Sequence, residues 1–188
     1  MFEFVADESF DLEKTCEYIL SIQVCLDGFS FSVVCPRQNR LMAFKSTSLK
    51  ISSNSLIARN FKEWATSEAL LQKPFKKIRI IVFSNKYTLI PEQYSNKELK
   101  LEIPKILFDE NNELEIAENV INKLEARLVF ALPAGINLIF TEQFGECEII
   151  HPLKVIANQH SNAEKGLSLV LILDSENIYI TLFNKNTV

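Results

Sequence analysis

Ile19–Val34 reads ILSIQVCLDGFSFSVV, a run of β-favouring residues interrupted once, at Asp27-Gly28. Ile19–Leu26 is expected to form a strand and Phe29–Cys35 its antiparallel partner. Asp27-Gly28 supplies the turn, since a two-residue type I′ turn needs positive φ at both positions. In the second strand Phe29, Phe31 and Val33 share one face, and Ser30, Ser32 and Val34 the other, because side chains alternate along a strand. Pro36 ends that strand. Arg37-Gln38-Asn39 turns the chain into a third, Leu41–Lys45, completing a three-stranded antiparallel meander.

Upstream, residues 1–18 are polar and acidic with scattered Phe and Leu, a lead-in segment expected to drape over the core. Downstream, Leu56–Gln72 carries Ile57, Phe61, Trp64, Ala65 and Leu71 on one helical face, and Pro74 blocks continuation. Lys77–Ser84 is apolar on both faces, the pattern of a covered parallel strand. A short strand, Tyr87–Ile90, follows. Residues 92–126 admit two readings. Glu113–Leu124 has helical spacing. Equally, Ile106–Phe108 can turn through Asp109–Asn112 into a strand Leu114–Val120, and the turn-rich Asp-Glu-Asn-Asn favours this hairpin.

Arg127–Leu132 is a strand closed by Pro133, and Gly135–Phe144 is a helix with Gly145 at its C-terminal cap. Cys147–His151 is a short strand, and Pro152 opens a helix to about Ser161. Asn162–Gly166 is polar. The chain closes with Ser168–Leu173 and Ile178–Phe183, a second hairpin turning through Asp174-Ser175-Glu176-Asn177.

The composition narrows the function. The chain has 188 residues, 47% hydrophobic and 23% charged, enough for a buried core of one domain or one plus part of a second. Only 4 of those residues are Gly, which leaves little for Gly-rich phosphate loops. The net charge of −4, with no basic block, argues against a nucleic-acid groove. No apolar run approaches the ~18–20 residues of a membrane span. The acidic start, MFEFVADESFDLEK, lacks the features of a signal peptide, so a cytoplasmic location is expected. Cys16, Cys25, Cys35 and Cys147 have no CxxC spacing and are expected to be reduced, buried thiols.

Leu26-Asp27 and Leu173-Asp174 stand in equivalent places, each Asp ending an apolar strand before a second strand. A meander, then alternating helices and strands, then a second such hairpin resembles the actin-like ATPase fold of sugar kinases, Hsp70 chaperones and actin. That fold has two lobes, each opening with a hairpin whose turn binds phosphate. The join Glu148-Ile149-Ile150-His151-Pro152, the helix after it and Leu169–Asp174 follow the order of the Hsp70 branch. More closely, most of residues 19–183 resembles an uncharacterised bacterial family assigned this fold. The resemblance implies an α/β, mixed-sheet, ribonuclease H-like first lobe over residues 19–162. Residues 163–188 are then the linker and first hairpin of an incomplete second lobe. Either the protein is longer, or this hairpin packs on lobe one.

On the resemblance, Asp27, Gly28 and Asp174 occupy the nucleotide-binding positions, with ATP and Mg²⁺ as the implied ligands. The turns depart from the family's chemistry. Phe29 follows the single glycine of the first turn, and the second has Glu176 where phosphate would lie. Like charges in contact repel without a metal between them. Asp27 and Asp174 therefore read first as turn residues. The expectation is no cofactor, no metal, no catalytic residue, and a non-catalytic module that binds a protein partner or itself. A nucleotide-binding protein or weak ATPase using Asp27 and Asp174 is the alternative.

His151, before Pro152, is expected to be solvated or capping rather than catalytic, and His160 to lie near a helix end. Cys147 between Glu146 and Glu148 should have a raised pKa and make a poor nucleophile. Phe2, Phe4 and Phe10 either staple the N-terminus to its own core or dock a partner.

Overall fold

The computed structural model of the chain describes residues 3–47, 49–95, 102–103, 106–108, 114–159, 166–173 and 178–184. Two units emerge. The first comprises Met1–Phe83, Glu113–Glu115 and Leu132–Ile150; the second comprises Ser84–Asn112, Ile116–Ala131 and His151–Val188.

The first unit is built on a six-stranded mixed sheet. In chain order its strands are β1 (Glu3–Ala6), β2 (Ile19–Cys25), β3 (Gly28–Cys35), β4 (Arg40–Ser46), β5 (Lys77–Val82) and β9 (Glu148–Ile150). Their spatial order is β1-β4-β3-β2-β5-β9. The meander β2–β3–β4 is antiparallel, as expected, and β5 and β9 add in parallel. The lead-in does more than drape: β1 pairs antiparallel with β4 and forms the sheet edge.

Alternation in the sequence becomes one buried face. Leu20, Ile22 and Val24 of β2 stand opposite Val33, Phe31 and Phe29 of β3. All six are at most 1% exposed. Against them packs α1 (Ile57–Ser67), shorter than expected because Glu68 leaves helical geometry before a 3-10 turn at Ala69–Gln72. The face of α1 is as predicted: Ile57, Phe61, Trp64 and Ala65 are buried, with Leu71 beyond it. Phe61 is the hub. Its ring meets Phe29 and Phe140 edge-on at 5.3 and 5.1 Å, and Trp64 at 5.6 Å.

Phe140 belongs to α2 (Ile136–Phe144), bounded by Gly135 and Gly145, both with positive φ. Its N-terminal amides meet a carboxylate the sequence did not advertise. Glu115 accepts from Gly135 N–H at 2.8 Å through one oxygen and from Asn137 N–H at 3.2 Å through the other. A helix start leaves such donors without intrahelical acceptors, and a negative group there is favourable.

The second unit holds, but for Glu115 and Leu132 at two strand ends, a three-stranded sheet in the order β6-β8-β7, made of β6 (Tyr87–Pro91), β7 (Glu115–Ile121) and β8 (Ala126–Leu132). It also holds α3 (Pro152–Gln159) and a two-stranded sheet of β10 (Leu167–Leu173) and β11 (Ile178–Asn184). Tyr87–Pro91 pairs antiparallel with Ala126–Leu132, a separate sheet that strand propensity alone does not indicate. Of the two readings for residues 92–126, the strand is right for 115–121, but residues 106–108 are helical rather than a hairpin arm. The turn at 109–112 lies outside the described residues.

Candidate functional site

The Ile19–Cys35 hairpin turns one residue earlier than the sequence suggests. Cys25 pairs with Gly28, so the two loop residues are Leu26 and Asp27. Neither has a positive φ; Gly28 does, at 122°. The turn is therefore not type I′. Its glycine is required for a different reason: the chain leaving β4 crosses directly over it. A Cβ at Gly28 would lie 2.7 Å from Thr47 Oγ1 and 2.9 Å from the Leu49 carbonyl oxygen. Only a residue without a side chain permits that approach.

The crossing segment is bonded to the hairpin. Phe29 N–H donates to Thr47 Oγ1 at 3.0 Å, and Thr47 N–H donates to the Phe29 carbonyl at 2.8 Å. Ile51 N–H donates to the Leu26 carbonyl at 2.8 Å. The Cys25 thiol donates to the Gly28 carbonyl at 3.4 Å. Asp27 is half-buried at the turn. Asp174, its counterpart in the closing hairpin, lies outside the described residues with the rest of its turn, and so does His160.

His151 is neither solvated nor exposed. It is 0% exposed, within the second unit, among Tyr87, Phe130 and Tyr179, whose ring centres are 4.9, 5.2 and 6.3 Å from its own. The expected capping role holds. Nδ1 accepts from Leu153 N–H at 3.2 Å, at the start of α3. Nε2–H donates to the Ser84 carbonyl at 2.9 Å, so the ring is the neutral Nε2–H tautomer. His151 N–H in turn donates to Oδ1 of the buried Asn119 at 2.8 Å. Burial pushes the imidazole pKa down to about 4, and the Ser84 bond opposes part of that. Sequence reasoning missed Asn119, Tyr87, Ser84 and Tyr179 as partners, because each arrives from a distant segment.

The four cysteines form no disulfide. Only Cys35 is buried; Cys16 is exposed and Cys25 and Cys147 are half-buried, so the expectation of four buried thiols fails for three. The Cys147 thiol is raised in pKa as expected, but by burial rather than by its flanking glutamates. Glu148 makes ion pairs with Lys77 at 2.7 Å and Arg79 at 3.6 Å. Of the N-terminal aromatics, Phe10 packs on Tyr18 at 5.9 Å while Phe4 is 52% exposed; Phe2 lies outside the described residues. Among the described residues no group of His, Cys, Asp and Glu is arranged to hold a metal, and no helix is long and apolar enough to cross a membrane.

The closing hairpin has two unlike faces. Leu167, Leu169, Leu171 and Leu173 of β10, and Ile178, Ile180 and Leu182 of β11, point to solvent. The other face carries Ser168, Val170, Ile172, Tyr179, Thr181 and Phe183, with Tyr179 5% exposed against the His151 cluster. The outward residues of both strands, from Leu167 to Leu173 and from Ile178 to Leu182, are all aliphatic, while the inward face mixes Ser168 and Thr181 with apolar and aromatic side chains.

In the comparison with solved structures, the chain is similar to a Bacteroides thetaiotaomicron protein described as having an actin-like ATPase fold and unknown function. The TM-score is 0.77 at 23% sequence identity, over 93% of this chain and 68% of that one. The mixed α/β sheet and this likeness establish the fold expected from the sequence. No curated protein matches the chain. The pattern of the family described as "Protein of unknown function (DUF3822)" matches residues 7–188, and the chain belongs to that family.

Proposed function

We propose that this protein is a non-catalytic member of the actin-like fold that serves as an interaction or assembly module. The observation that carries the reading is the outward face of β10–β11. Seven Leu and Ile side chains, each 54–69% exposed, lie side by side on one sheet face. Single exposed apolar residues are ordinary, but a contiguous aliphatic patch marks an interaction surface.

What weighs against the nucleotide alternative is the first turn. A phosphate cradle uses backbone N–H groups that a ligand can approach. Here Phe29 N–H already donates to Thr47 Oγ1, and the Thr47 and Leu49 backbone passes within van der Waals reach of Gly28. The described part of the turn fits a folded crossing better than a phosphate.

The test is a photo-crosslinking amino acid at Leu171, activated in living cells. Adducts to a polypeptide, whether another protein or a copy of this chain, are the expected outcome. A face that yields no adduct refutes the module reading. Calorimetry with ATP and Mg²⁺ addresses the alternative: a saturable heat would restore it.

A further inference from the structure

We propose that the β10–β11 face docks a second copy of this chain in an isologous, sheet-on-sheet contact. The proposal rests on the module reading and names its partner. The register places three aliphatic cross-strand pairs on the face: Leu169 with Leu182, Leu171 with Ile180, and Leu173 with Ile178. Directly opposed residues of an antiparallel pair lie on the same face. Sequence and register thus produce a regular ladder with no charge in it.

Three properties favour a copy of the same chain. First, the face is self-complementary. A two-fold axis through the ladder stacks aliphatic pair on aliphatic pair, as when two sheets pack about 10 Å apart. Second, it gives a charged partner nothing to recognise. No described residue of β10 or β11 is charged, so the two ladders meet without like charges between them. Third, the area suffices. Full burial of one such side chain removes up to about 120 Å² of apolar surface. Six of them, each 54–69% exposed, offer roughly 450 Å² on that scale. A standard interface buries about 800 Å² per partner, roughly 60% of it apolar. The ladder alone therefore supplies the apolar core of one. Neither strand pairs with a third among the described residues, and Tyr179 packs the inner face beside His151, so the outer ladder is the face left in water. Stacking on a copy removes that exposure.

Light scattering coupled to size-exclusion chromatography, with the full chain, reads the outcome. The expected result is a species of twice the monomer mass at high micromolar concentration. Leu171→Lys should weaken self-association at least about a hundredfold, because each dimer would bury two charges against aliphatic surface. Should that variant fail to fold by circular dichroism, the milder pair Leu169→Thr and Leu171→Thr keeps β-propensity and must give the same loss. A wild-type monomer overturns the proposal, as does a dimer indifferent to folded face variants. A monomer whose Leu171 crosslinks to a different protein overturns the second copy but keeps the module; a monomer without adducts removes both.

Discussion

Thr47 Oγ1 accepts the Phe29 backbone N–H at 3.0 Å, eighteen residues apart in sequence, and so closes the chain over the hairpin turn. The same residue's N–H returns a bond to the Phe29 carbonyl. Removing the hydroxyl leaves the part-buried Phe29 amide without that acceptor, which costs about 1–2 kcal/mol. Thr47→Val should lower the urea midpoint accordingly, and Thr47→Ser should restore most of it. If valine is neutral, the hydroxyl is not what holds the crossing.

Gly28 is the complementary test. At φ 122° and with a backbone oxygen 2.9 Å from where a Cβ would stand, alanine has no relaxed position. Backbone cannot rotate away as a side chain can. Gly28→Ala should cost more than about 2 kcal/mol in equilibrium unfolding. A turn of the I′ kind at Asp27-Gly28 would predict a smaller penalty, since a turn apex faces open solvent.

Phe61 joins the sheet to both helices of the first unit through Phe29, Trp64, Phe140 and Phe144. It is 0% exposed. Truncation to alanine removes the ring and opens a cavity lined by four aromatics, so about 3–5 kcal/mol should be lost. Phe61→Leu should lose less. Thermal unfolding followed by near-ultraviolet circular dichroism reports the effect through Trp64.

Glu115 holds the start of α2 through two charge-assisted bonds, to Gly135 and Asn137 amides. Glu115→Ala should cost about 1–2 kcal/mol, the range of a lost helix cap. Amide hydrogen exchange should accelerate at Asn137 and its neighbours while β2 and β3 stay protected. A uniform change across the unit would instead assign Glu115 a global role.

These partnerships show where sequence reading stops. The alternation in β3, the apolar stripe of α1, the glycine boundaries of α2 and Pro152 at the head of α3 are local periodicities and caps, so they were legible. Thr47 over Gly28, Glu115 on α2 and Tyr87, Phe130 and Tyr179 around His151 join segments distant in sequence, and no local pattern encodes them. β10 and β11 show the limit most clearly. With apolar residues on both faces, their alternation announces strands but cannot say which face is left outward; only Tyr179, packed beside His151, decides that.

His151 makes stability depend on pH in a defined direction. Its folded pKa of about 4 lies below the ordinary value of 6.5, so the unfolded chain takes up the proton first. Between those two values the unfolded state binds more protons, and stability falls as pH falls. Above pH 6.5 the contribution is complete. A displacement of this size corresponds to roughly 3 kcal/mol lost by pH 4. His151→Asn keeps a side-chain acceptor for Leu153 N–H but cannot titrate, and asparagine is a good N-cap. The variant should be less stable than wild type at pH 7.5, having lost the Ser84 bond and the aromatic packing. Its urea midpoint should change much less between pH 7 and 5. If wild type and variant keep the same pH slope, the imidazole is not the group responsible, and the buried cluster does not exclude the proton as its geometry requires.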